Sequence, residues 1–285
     1  MKISVVIPAY NESESIAAVI ESVYKNVPGC EIIVVDDCSS DNTAVIAERA
    51  GATVFKHPYN IGNGGAVKTG IRNATGDKIV LIDADGQHDP ADIPRMLEHS
   101  AQYDMVVGAR SPETHASILR RIANAFYNTL ATYVTKIRIK DLTSGFRILD
   151  RDIVIRYLYL LPNTFSYPTT ITLSYLRSGR SLCYVPVQAG RRKGKSKIKP
   201  ARDGLRFLLI IIKITTLYSP LLIFLPVSTV FFLSGICNYL YTYITKGEFT
   251  NMSALCLISS VILFLMGLIS EQITQLRYDR IDNGG

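Results

Sequence analysis

Lys78-Ile79-Val80-Leu81-Ile82-Asp83-Ala84-Asp85-Gly86-Gln87-His88 joins a short apolar run to two carboxylates spaced one residue apart. A run of this length and β-branched character reads as a strand buried on both faces of a parallel sheet. Alternate side chains of an extended chain point the same way, so Asp83 and Asp85 share a face and can address one ion. Gln87 repeats the spacing with a neutral oxygen. Hard oxygen donors of this kind suit Mg2+ or Mn2+, with phosphate oxygens completing the shell. An isolated Asp-x-Asp is more often a solvated acidic turn, so its weight rests on its company.

That company lies on both sides. Upstream, Ile3–Ile7, Glu31–Val35 and Ala52–Phe55 read as strands, separated by helical spacing over Glu14–Lys25 and Asn42–Ala50, and Gly64–Asn73 reads as the next helix. Such alternation predicts parallel strands with crossover helices, a doubly wound α/β fold. Ligands of these sheets bind beyond the carboxyl ends of the strands, where Asn11-Glu12, Asp36-Asp37 and Asp83-Ala84-Asp85 stand. Capping of the next helix explains Asp41 and Ser39 but does not need the two carboxylates before them. Asn60-Ile61-Gly62-Asn63-Gly64-Gly65 is a glycine-rich turn leading to Lys68, neither a Walker A loop nor a dinucleotide fingerprint. Downstream, Met105–Val107 reads as a strand, Ser117–Thr135 as a helix with Arg120 and Arg121 near its start, and Thr143-Ser144-Gly145 as a turn. A helix near Thr169–Arg177 and a strand near Ser181–Val187 follow.

The last third changes character. Ile214 to Thr245 and Met252 to Ser270 carry no charged residue. A helix crosses a hydrocarbon core of roughly 30 Å with about 20 apolar residues, so each run can span it. The expected plan is an α/β domain over 1–200, an amphipathic interfacial helix over 201–218, and a membrane hairpin over 219–285 with spans near 221–244 and 252–272. Lys and Arg are dense before the first span and recur after the second at Arg277 and Arg280, while the connecting loop has only Lys246; the bias places the large domain and both termini in the cytoplasm. Met1–Pro8 runs directly into domain sequence and is not a secretory signal. Five scattered cysteines without a C-x-x-C pair exclude a disulfide framework or zinc site as an organising feature. The sequon Asn251-Met252-Ser253 abuts the second span and is read as chance. The net charge of +7 owes much to seven basic residues between Arg191 and Arg202, a juxtamembrane cluster that suits anionic headgroups or a phosphate ligand rather than nucleic acid.

Taken together, Val6-Ile7-Pro8-Ala9-Tyr10-Asn11-Glu12, Val35-Asp36-Asp37-Cys38-Ser39, Asn60-Ile61-Gly62-Asn63-Gly64, Asp83-Ala84-Asp85-Gly86-Gln87-His88, Asp141-Leu142-Thr143-Ser144-Gly145-Phe146-Arg147 and Arg191-Arg192-Lys193-Gly194-Lys195-Ser196-Lys197 occur in this order over residues 1–200. The chain thereby resembles family 2 glycosyltransferases of the GT-A fold, in particular the dolichyl- and polyprenyl-phosphate sugar synthases, which also carry a membrane hairpin. The resemblance implies transfer of a sugar from a UDP- or GDP-linked donor to a polyisoprenyl phosphate. It implies that Pro8, Tyr10, Glu12, Asp36, Asp37, Lys68, Asp83, Ala84 and Asp85 line the nucleotide-sugar site, and that Asp83, Asp85 and Gln87 hold Mg2+ or Mn2+. Arg110, Ser144, Arg147, Arg191, Ser196 and Lys197 are implied around the acceptor phosphate, with Asp85, Arg147 and Asp141 nearest the chemistry. Arg120 and Arg121 join that basic shell or face headgroups. Self-association into a homo-oligomer is left open.

One departure is informative. Members that build sugar-to-sugar bonds carry a Glu-Asp pair near Thr143-Ser144, and this chain has none there. A phosphate acceptor, with a second pKa of about 6, is already anionic near neutral pH and needs no base. Asp141 is then a base or a turn anchor, and Asp before a Thr-Ser-Gly turn commonly anchors it. A processive synthase with a Q-x-x-R-W segment is excluded because the chain has no tryptophan. A non-catalytic scaffold need not retain Asp83, Asp85, Gln87 and Arg147.

Overall fold

The computed structural model describes residues 1–110, 118–163, 167–188 and 219–282, together with positions 209, 212, 215 and 216. Seven strands form one sheet: β1 Ile3–Ala9, β2 Glu31–Asp36, β3 Thr53–Lys56, β4 Lys78–Leu81, β5 Met105–Arg110, β6 Arg147–Asp150 and β7 Leu182–Val187. Their order across the sheet is β3-β2-β1-β4-β6-β5-β7. All neighbours run parallel except β6, which is antiparallel to both β4 and β5. The helices are α1 Ile16–Asn26, α2 Thr43–Arg49, α3 Asn63–Asn73, α4 Ile93–His99, α5 Ile118–Thr135, α6 Arg151–Tyr157 and α7 Tyr167–Arg177.

The apolar runs become strands because both faces of the sheet are covered. Val5, Ile7, Val34, Val80 and Ile82 enter the core on one face, while Val6, Ile33, Val35, Ile79 and Leu81 enter the core on the other. Period-two alternation therefore divides a continuous apolar run between two cores. Each fully buried Val or Ile contributes about 1.5–3 kcal/mol against exposure. Pro8 lies beyond the last β1–β4 pair, Val6↔Leu81, where a missing N–H breaks no bond to β4.

Three short elements escape the pattern expected from sequence. β6 is only four residues long and begins with a charged residue, and α4 and α6 have seven residues each, too few for a clear helical period. Helix α7 starts at Tyr167, earlier than expected, and its residues from Tyr167 to Leu176 are all buried, Thr169, Thr170, Thr172 and Ser174 included.

Backbone contacts divide the chain into two compact units, Met1–Ile210 and Ile211–Gly285. In the second, helices Leu221–Lys246 and Asn251–Asp282 form a hairpin and are long and apolar enough to cross a membrane. The second extends ten residues past the expected span. Small residues recur every seventh position on the packed faces: Ser228, Gly235 and Thr242 on one helix, Ser253, Ser260, Gly267 and Thr274 on the other. Ser228 Oγ donates to Ser260 O at 2.9 Å, and Glu271 Oε2 accepts from Leu221 N at 3.2 Å at the open end. The interfacial helix expected over 201–218 falls largely outside the described residues.

Candidate active site at the carboxyl end of the sheet

β4 ends at Leu81, and the chain leaves the sheet through Asp83, which is half-buried, and Asp85, which is buried. Gly86 takes φ +68, which turns the chain so that Gln87 N donates to Asp85 Oδ1 at 3.1 Å. A Cβ on Gly145 would lie 2.8 Å from Asp83 Oδ2 and 3.1 Å from Tyr167 Oη. The Gly145 turn therefore packs directly against the Asp83 carboxylate, and only glycine leaves that carboxylate its place. Among the described residues no cluster of three His, Cys, Asp or Glu could hold a metal by itself. Two carboxylates and an amide fit a hard cation that takes its remaining ligands from phosphate.

The next strands supply positive charge to the same end of the sheet. Arg110 closes β5 and grips Asp141 through Nε to Oδ2 at 2.8 Å and Nη2 to Oδ1 at 3.1 Å, with Nη2 also donating to Thr143 Oγ1 at 2.5 Å. Asp141 accepts in addition from the backbone N–H groups of Thr143 and Ser144, at 3.0 and 3.1 Å. Burial raises the Asp141 pKa, but the hydrogen bonds and charge of Arg110 and the backbone N–H groups outweigh it and bring it to about 2. Burial pulls Arg110 down, yet the hydrogen bond and charge of Asp141, with Asp83 and Asp85 behind it, leave its pKa raised. Asp141 is thus an anionic anchor for the turn and not a proton acceptor at neutral pH.

Arg147 behaves differently from its expected role. It has no exposed surface, and its guanidinium donates to Ser144 O at 2.7 Å, Thr172 Oγ1 at 2.6 Å and Leu142 O at 3.4 Å. Its bonds support the 141–145 turn from inside the core, which makes it a positioning residue and not a group that touches substrate. Ser144 is likewise fully buried, and its Oγ finds no partner among the described residues.

On the other side of β4, the loops after β1 and β2 are laced together. Asn11, at φ +54, accepts from Ser40 N at 2.8 Å, Glu12 N donates to Thr43 Oγ1 at 2.9 Å, and Asp36 accepts from Ser39 N at 3.2 Å. Tyr10 and Glu12 are half-buried here, and Pro8 and Ala84 are buried. Asp37 accepts from Ile61 N at 2.9 Å and Gly62 N at 2.8 Å and lies 2.7 Å from His57 Nδ1. The glycine-rich turn thus receives a carboxylate of this chain where a phosphate cradle would receive a ligand. Gly65 N, in the first turn of α3, donates to Asn163 O at 2.7 Å. Lys68 donates to Leu161 O at 3.1 Å and to the Asn163 side chain, so it ties α3 to the segment before α7.

Two residues were missed in the sequence. His88 is buried on the Phe146 ring, 5.1 Å between centroids, with Nδ1 finding no partner among the described residues. Burial, reinforced by Arg110, lowers its pKa to about 4 against the opposing charges of Asp85 and Asp141, so the imidazole is neutral. Tyr167, on a helix distant in sequence, lies against the same Gly145 that packs on Asp83, and no local pattern announces it. Arg191, Ser196 and Lys197 lie outside the described residues, as do the side chains of Arg120 and Arg121.

Residues 4–158 match the model of glycosyl transferase family 2, and the chain belongs to that family. Residues 219–276 match the GtrB C-terminal hairpin. Undecaprenyl-phosphate 4-deoxy-4-formamido-L-arabinose transferase of Pectobacterium carotovorum is 33% identical over 189 residues, covering 59% of this chain and 57% of that protein. The chain therefore spans little more than half the length of such relatives. Protein RfbJ of Shigella flexneri is 38% identical over 121 residues, 42% of this chain and 93% of its own. Among solved structures, glucosyl-3-phosphoglycerate synthase from Mycobacterium tuberculosis, in complex with Mn2+, uridine diphosphate and phosphoglyceric acid, superposes with TM-score 0.61 at 22% identity, covering 75% of this chain and 78% of that one. At that identity the likeness establishes the GT-A fold.

Proposed function

We propose that the chain transfers a sugar from a nucleoside diphosphate donor, UDP- or GDP-linked, to a polyprenyl phosphate, with inversion at the anomeric carbon. The observation that carries the acceptor assignment is the state of Asp141: the carboxylate that leads into the Thr143-Ser144 turn is locked to Arg110 and held near pKa 2. An acceptor that must lose a proton finds no base in this turn, whereas a phosphate monoester arrives ionised. The undecaprenyl-phosphate relatives and the apolar hairpin support the same choice.

Asp83, Asp85 and Gln87 would hold a divalent cation, which supplies Lewis-acid stabilisation of the departing diphosphate. The laced loops carrying Tyr10, Glu12 and Asp36 would seat the nucleoside. One acceptor-phosphate oxygen forms a bond to the anomeric carbon from the face opposite the donor. The bond from that carbon to the diphosphate oxygen breaks, its electron pair leaves with the diphosphate, and no proton transfer is needed. Because Asp141 offsets the charge of Arg110, the pair contributes orientation more than net charge. Drawing two anions together falls to the 191–202 cluster, where Arg191, Ser196 and Lys197 are the proposed contacts. The positive-inside bias supports the cytoplasmic face as the place of this chemistry.

The test is transfer from a panel of labelled UDP- and GDP-sugars into organic-extractable lipid, with and without EDTA, for the wild type and Asp85→Ala. A chelator-sensitive, mild-acid-labile lipid product that the substitution abolishes is expected. Label entering polymer or protein instead would overturn the acceptor, and full turnover by Asp85→Ala would overturn the metal site.

A further inference from the structure

A second basic stretch, apart in sequence from the 191–202 cluster, lies at the carboxyl end of α5. From Thr114 to Lys140 the sequence contains no Asp or Glu, and it closes with Thr135-Lys136-Ile137-Arg138-Ile139-Lys140. Lys136, Arg138 and Lys140 are all exposed, and between them stand two apolar groups that do not enter the core: Tyr133, 48% exposed, and Ile137, 44% exposed. Ile139 and Thr135 turn inward. Lys136 sits over the Tyr133 ring, 4.9 Å from its centroid.

This tip is built, not loose. Lys136 adopts φ +60, ending the helix, and its N–H still reaches Thr132 O at 2.8 Å. Ile139 N donates to Thr132 Oγ1 at 3.0 Å, and Asn128 Nδ2 donates to Lys140 O at 3.0 Å. The same Asn128 side chain accepts from Leu142 N at 3.3 Å, next to the Asp141 that holds Arg110. A fixed turn that presents Tyr, Ile and three cations outward, with no acid among them, has the composition of a membrane-interface contact.

We infer that the Tyr133–Lys140 tip docks on anionic lipid headgroups, with Tyr133 and Ile137 reaching the acyl boundary and Lys136, Arg138 and Lys140 pairing with lipid phosphates. Two observations favour a bilayer over other anionic partners. The chain carries two helices apolar enough to span one, and the exposed aliphatic Ile137 offers a bilayer an apolar contact that a phosphate backbone cannot use. Docking would set the neighbouring Asp141–Arg110 turn at headgroup depth. Each cation near an anionic leaflet strengthens association roughly fivefold.

The absence of tryptophan makes the test direct. Tyr133→Trp and Ile137→Trp each place one fluorophore in the full-length chain, with Tyr24→Trp on α1 as comparator. Each protein is reconstituted in vesicles of phosphatidylcholine, with or without phosphatidylglycerol, carrying brominated acyl chains. Quenching at positions 133 and 137 several-fold above that at 24, stronger with phosphatidylglycerol and abolished by added Lys136→Glu, Arg138→Glu and Lys140→Glu, is expected. Quenching no greater than at position 24, or unchanged by charge reversal, would overturn the inference. So would shielding of these positions by an oligonucleotide instead of the bilayer. The readout involves no donor and no turnover, so its failure leaves the proposed glycosyl transfer standing, and the reverse holds too.

Discussion

Asp141 and Gly145 show how much of this site turns on single residues. With its folded pKa depressed to about 2, Asp141 contributes stability that is present above the unfolded pKa of about 4 and is lost as pH falls toward 2. The shift corresponds to roughly 2–3 kcal/mol. Asp141→Asn should lower stability at pH 7 by that order, because Arg110 loses its counter-charge, and should flatten the acid limb of the stability curve. Thermal melts of the purified chain across that range check both. Gly145→Ala pushes hardest on the Asp83 carboxylate and, less closely, on the hydroxyl of buried Tyr167. It should weaken divalent-metal binding about 10- to 100-fold while the melting temperature moves little, read by Mn2+ titration against thermal melts. An unchanged metal affinity would separate Asp83 from the metal site. The Asp-x-Asp pair stands out in sequence because it follows directly on an apolar strand. The glycine opposite was legible only as a turn, because its real constraint is a side chain sixty residues away.

At the scale of elements, the long apolar runs declared themselves and the short connecting pieces did not. β1, β2 and β4 are continuous apolar strands because both sheet faces are covered. β6 reverses direction between β4 and β5 and begins with Arg147, whose buried guanidinium needs the carbonyls of its own preceding turn. Nothing in a single tetrapeptide predicts that environment. The hairpin is the opposite case, since seven-residue spacing of Ser, Gly and Thr was present in the sequence all along. A sustained seven-residue repeat keeps the packed seam on one face and imposes a left-handed supercoil. Gly235 has Leu257 so close that an added Cβ would sit 2.9 Å from its Cγ. Gly235→Leu should separate the helices locally and destabilise the hairpin by about 1–3 kcal/mol. Exchange between labelled cysteines at Cys237 and Cys256 in an otherwise cysteine-free chain reads the change as a longer helix–helix distance.

For the whole molecule, the two compact units predict separable properties. The residues proposed to hold the metal and the nucleoside all lie in Met1–Ile210. A chain ending at Ile210 should bind Mn2+ and nucleoside diphosphate with affinities near those of the full chain, measured by calorimetry, yet lose transfer to lipid in vesicles. Loss of nucleotide binding on truncation would mean that the hairpin completes the donor site.

The sequence by itself determined the alternating α/β plan, the two apolar spans, the order of the motifs and the oxygen-donor character of the proposed metal site, because all of these follow from local periodicity and residue chemistry. Only the tertiary structure decided what the charged groups do. It turned Asp37 inward to the glycine-rich turn, tied Lys68 to Leu161, buried Arg147 beneath the turn it supports and locked Asp141 to Arg110. Each of these roles depends on which partner comes within about 3 Å after folding, and a hydrogen bond or ion pair between residues far apart in the chain leaves no periodic mark along it.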